Sequence, residues 1–122
     1  MLLMPYKKLK IWEKGMELVK VVYECTRQFP KEELYALTSQ MRRAAISIPS
    51  NIAEGSQRTS NKEFANYVLM AKGSLAELET QALAAQLLAY DTQNATKDLS
   101  LRIDELSRML HAFHAKLISH HS

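Results

Sequence analysis

SNKEFANYVLMAKGSLAELETQALAAQLLAY, residues 60–90, is the stretch on which the fold turns. Phe64, Val68, Ala71, Leu75, Leu78, Ala82, Ala85 and Ala89 recur in a strict seven-residue repeat, the mark of a helix that lays one seam on its neighbours. Ser60 ahead of Glu63 forms a capping box that starts this helix. A second apolar row, Leu69, Gly73, Ala76, Leu83 and Leu87, lies roughly 140° around the helix at 100° per residue. A helix that is apolar on two sides needs a cover on both. One side meets the core of a bundle. The other predicts contact with a second copy of the chain, with Gly73 and Ala76 small enough to let backbones approach. A homo-oligomer is expected, with these five residues at its interface.

Beyond this helix, Asp91 to Asn94 reads as a turn, followed by a helix over 95–119. It carries Leu99, Ile103, Leu106, Leu110, Phe113 and Leu117 at four–three spacing. Toward the N-terminus, Arg58-Thr59-Ser60 connects back to a helix over 31–55. Its row is Leu37, Met41, Ala44, Ile48 and Ile52, and Gly55 is its end signal. Pro49 falls inside this row, so a kink or break is expected there. The first helix spans 8–29, with Ile11, Gly15, Leu18, Val22, Cys25 and Phe29 in register, and Pro30 stops it. Short connections make consecutive helices antiparallel. The fold class is therefore all-α: a single up-down-up-down antiparallel four-helix bundle occupying residues 1–122 as one domain.

Composition agrees. The 122 residues are 47% hydrophobic with only three glycines and three prolines, too few turn residues for an all-β chain. The single Cys25 excludes an intramolecular disulfide and any multi-cysteine metal site. No signal peptide or membrane-length apolar run is visible, so a cytoplasmic protein without membrane contact is expected. Net charge is +3 with a pI near 9.0. The excess is uneven: +5 over residues 1–62, −2 over 63–90 and zero over 91–122. Such a bias permits a polyanionic partner without requiring one.

Few residues suggest chemistry. Gln40, Arg43, Ser47, Asn51 and Glu54 share one face of the second helix at the edge of its apolar row. They read as a structural polar network that fixes helix register, with Arg43 paired to Glu54 or Glu77. Ser47 has no histidine within helical reach and no phosphate loop exists, so no catalytic residue is assigned and the chain is not expected to be an enzyme. His111 and His114 stand three apart, and His120 and His121 close the chain, but no carboxylate completes a ligand set. Neither metal nor cofactor is expected. The basic candidates are Arg42, Arg43, Arg58, Lys62 and Lys72, with Lys7, Lys8, Lys10 and Lys14 at the start. Arg42, Arg58 and Lys62 are expected around one end and edge of the second and third helices, and with Lys72 form the candidate nucleic-acid-binding set. The plainer alternative is a solvated face. Repetition in a ring of subunits would add weak contacts together.

The block QMRRAAISIPSNIAEG, residues 40–55, resembles the signature of the 23S ribosomal RNA intervening-sequence proteins, a family of four-helix bundles. GSLAELET, residues 73–80, is similar to that family's second block, and Trp12, Phe29-Pro30, Glu33 and Tyr35-Ala36-Leu37 match its opening pattern. The resemblance runs to about Tyr90. It implies a bacterial cytosolic bundle, and related bundles assemble as homopentamers. Some family genes lie inside insertions of ribosomal RNA genes. A related branch, the accessory protein of diversity-generating retroelements, binds nucleic acid and a reverse transcriptase. The leading reading is a non-catalytic homo-oligomer, a pentamer by this resemblance, that binds RNA or DNA through a basic surface. The alternative is a protein–protein scaffold or accessory subunit that binds no nucleic acid.

Overall fold

A computed structural model describes residues 5–91 and 94–119. Four helices make up the fold: α1 Lys10–Thr26, α2 Leu37–Ser56, α3 Asn61–Leu87 and α4 Ala95–Ser119. Each packs against the two beside it in a ring, α1 on α2 and α4, and α3 on α2 and α4, while among the described residues no Cα atoms of the diagonal pairs come within 8 Å. Two aromatic contacts fix the helix directions. Phe29, just past α1, and Tyr90, just past α3, have ring centroids 5.6 Å apart. Tyr90 also donates a 2.7 Å hydrogen bond to Glu33, just before α2. At the opposite end Phe64, in the first turn of α3, meets Phe113 near the end of α4 edge-on at 5.4 Å. The bundle is up-down-up-down.

The core is the seam that the spacing predicts. Leu18, Val22, Met41, Ile48, Ile52, Val68, Leu75, Leu78, Leu99, Leu106 and Leu110 are all fully buried. Burial of each large side chain contributes roughly 1.5–3 kcal/mol, far more than helix propensity supplies.

Three helices differ in their bounds from the sequence expectation. Helix 1 begins at Lys10 rather than at residue 8, because Leu9 is extended and Tyr6–Lys8 forms a separate 3-10 turn; it ends at Thr26, not 29. Helix 2 begins at Leu37 rather than at residue 31. Pro30 leads into a 3-10 turn, Lys31–Glu33, and the Glu33 carboxylate accepts the Leu37 amide at 3.3 Å. Helix 3 ends at Leu87 rather than at residue 90, so Ala89 falls outside it. Ala89 adopts φ 60°. The Tyr90 amide reaches the Ala85 carbonyl at 3.0 Å and the Ala89 amide reaches Gln86 at 3.0 Å, the two bonds of a Schellman cap. Glycine usually holds that position. Ala89→Gly should therefore stabilise the fold by about 1 kcal/mol, read from the urea midpoint.

No break occurs at Pro49: α2 runs through it from Leu37 to Ser56. An interior proline costs about 3 kcal/mol. Here its ring is buried with Ile48 and Ile52, which offsets that cost. Gly15 of α1 faces the ring, and a β-carbon there would sit 3.4 Å from it, in van der Waals contact. Gly55 serves closeness rather than termination. A β-carbon on it would come within 2.5 Å of Tyr67 Cβ and 2.9 Å of Phe64 Cδ1. Gly55→Ala is expected to push α3 away and cost about 1–3 kcal/mol by denaturant titration.

Candidate functional site

Antiparallel packing collects charge by helix end. The starts of α1 and α3 and the finishes of α2 and α4 share one end of the bundle. Residues nearer that end (5–17, 48–73 and 108–119) carry net +5, and those nearer the other (18–47 and 74–107) carry net −2. Lys7, Lys8, Lys10, Arg58, Lys62 and Lys116 are all exposed at the positive end. Lys14 is partly neutralised by Glu105 of α4 at 3.3 Å and Glu17 at 3.8 Å.

The candidate nucleic-acid set is only partly brought together. Arg58 and Lys62 flank the α2–α3 turn. Arg42 lies fourteen residues before the end of α2 at Ser56, roughly 21 Å along the helix axis, toward the opposite end. Its Nε donates to Thr26 Oγ1 at 2.9 Å and its guanidinium stacks 4.5 Å from the Tyr23 ring centroid. Arg42 therefore clamps α2 to α1. Arg58 lies 4.8 Å over the Tyr67 ring, hydrogen bonds its hydroxyl and pairs with Glu54 at 3.5 Å. Lys72 bridges to α4, with Nζ 3.4 Å from His111 Nδ1. Partial burial, Lys72 and His111 together hold the His114 pKa below its ordinary value.

The polar row is also divided. Ser47 Oγ lies 2.6 Å from Ser74 Oγ of α3 and 2.8 Å from the Ala44 carbonyl, and Asn51 donates to the Ser47 carbonyl at 2.8 Å. The serine pair ties α2 to α3. The expected pairing of Arg43 with Glu54 or Glu77 does not form. Eleven residues separate Arg43 from Glu54, about three helical turns, and Glu54 takes Arg58 instead. Arg43 and Glu77 stay exposed, lining with Gln40, Ser47, Ser74 and Gln81 a groove of about 360 Å³. In it the Gln81 side-chain oxygen is buried with no hydrogen-bond partner among the described residues.

The second apolar row of α3 faces outward. Leu69 is 47% exposed, Leu83 53% and Leu87 88%, and Met70 beside them is 54% exposed. Gly73 and Ala76 are exposed between them, and nothing described lies within 4 Å of where a Gly73 β-carbon would be.

The remaining candidates give less. Burial, with the Asp91 charge second, pushes the Cys25 thiol up to about 11, so it is not a thiolate near neutral pH. Among the described residues no three metal-ligating side chains gather. His120 and His121 lie outside the described residues. Among those described, no helix is long and apolar enough to cross a membrane.

Sequence reasoning missed Lys116, Tyr67, Thr26 and Ser74. Ser74 lay in view inside the 73–80 block; Lys116 joins the others only once the end of α4 is placed.

A protein of unknown function from the S23 ribosomal protein family of Bacteroides thetaiotaomicron has a similar solved structure. Its TM-score is 0.76 at 20% identity, over 85% of this chain and 97% of that one. At that identity the likeness speaks for the fold. No curated protein matches the sequence. The profile of the 23S rRNA-intervening sequence proteins matches residues 7–112, spanning all of α1, α2 and α3 and most of α4. The chain therefore belongs to the 23S rRNA-intervening sequence protein family.

Proposed function

We propose that this protein is a non-catalytic bundle whose copies assemble through the outer face of α3 and whose positive end binds RNA or DNA phosphates. The observation that carries assembly is the uncovered row Leu69, Leu83 and Leu87 beside the open notch at Gly73. Large apolar side chains grouped around small ones are what a helix presents to a close-packed partner. The resemblance to ring-forming bundles makes five the copy number to test.

Nucleic-acid binding is supported by the charge polarity of the bundle. Association would bring several positive ends together, and polyanion affinity grows steeply with the number of phosphates engaged. Catalysis finds no support, since the Ser47 hydroxyl is engaged by Ser74 and a backbone carbonyl rather than by a base. The uncovered α3 face equally favours a second reading, a protein scaffold without nucleic acid. A gel-shift series with structured RNA at rising salt separates the two. The proposal expects a shift at low salt that weakens linearly on a log–log plot; no shift at low salt leaves only the scaffold.

A further inference from the structure

A second surface lies at the positive end, between the start of α1 and the finish of α4. It is a groove of about 440 Å³, and Leu9, Ile11, Met109, Ala112 and Phe113 form its floor while Lys8, Lys10 and Lys116 form its rim. Met109, Ala112, Phe113 and Lys116 follow i, i+3, i+4, i+7, one continuous stripe about 10 Å long on α4. No carboxylate is among the described residues that line it. The volume falls in the range of small-molecule sites. Its apolar floor offers nothing to a phosphate backbone, and Phe113 is already packed edge-on against Phe64.

We propose that this groove binds a single-chain amphiphile with an anionic head, such as a fatty-acid anion. The alkyl chain lies along the α4 stripe against Leu9 and Ile11. Lysine stems cover its flanks while the ammonium groups reach outward to the carboxylate. Charge decides the occupant: a cationic or neutral amphiphile would find the same floor but a repulsive or indifferent rim. The inference shares Lys8 and Lys10 with the nucleic-acid reading but is tested separately from it, because the apolar floor plays no part in phosphate contacts.

The test is calorimetric titration of the full chain with dodecanoate below its micelle concentration. The expected result is saturable binding of one molecule per chain, with dodecyltrimethylammonium at least tenfold weaker. Ala112→Trp fills the groove from an exposed position and is expected to weaken dodecanoate at least tenfold. The surface pair Lys8→Gln with Lys116→Gln should weaken dodecanoate several-fold, a second check should the tryptophan disturb folding. Absence of dodecanoate binding, equal binding of the cationic amphiphile, or wild-type affinity in both variants would overturn the proposal.

Discussion

Gly73→Leu is expected to split the assembly into monomers while making each monomer harder to unfold. The two effects separate because Gly73 sits in an exposed helix interior with no described atom near its missing β-carbon. Within one chain a leucine there has room and improves helix propensity by roughly 0.8 kcal/mol. Between chains of the proposed assembly it would fill the notch through which a second backbone would approach Leu69 and Leu83. Adding Leu83→Asp, which would bury a carboxylate at the interface, should weaken self-association at least about 100-fold, or about 2.7 kcal/mol. Sedimentation velocity reads the association, and urea melts at high dilution read the monomer. A Gly73→Leu protein that is stabilised yet still assembled would place the interface elsewhere.

Reversing charge at the positive end should have the second large effect. Lys7→Glu, Lys8→Glu, Lys10→Glu and Lys62→Glu together are expected to lower RNA affinity at least about 100-fold at ~50 mM salt. The log–log salt slope should become shallower by about 0.7–0.9 for each phosphate that the variant no longer neutralises. Arg42→Gln is the contrasting variant. It removes a hydrogen bond to Thr26 and a stack on Tyr23, so it should cost about 1–2 kcal/mol of stability while leaving RNA affinity within about twofold. A quadruple variant that binds like the parent would contradict the placement of the nucleic-acid surface.

How much of this was legible in the sequence follows from what each feature depends on. The seams of α3 and α4 depend only on helical period, and Leu75, Leu78, Leu99 and Leu106 are buried where that period puts them. Helix ends depend on local competition. Of the kink or break expected at Pro49, the break does not occur and α2 continues with the ring buried against α1, and the extra turn expected after Leu87 gave way to the cap at Ala89. The positive end depends on topology. Lys7 and Lys116 lie more than a hundred residues apart, and only antiparallel packing makes them neighbours in charge. Arg42 shows the reverse error: two adjacent arginines look alike as letters, yet Arg42 meets Tyr23 and Thr26 of α1 while Arg43 is exposed to water.

Assembly through the outer face of α3 underlies the whole functional reading, and native mass at micromolar concentration reads it out without further assumptions. Five copies of a 13.9 kDa chain predict about 70 kDa for the parent and 13.9 kDa for the Gly73→Leu, Leu83→Asp variant. A parent that runs at 13.9 kDa, or a variant that keeps the full assembly, would contradict assembly through that face.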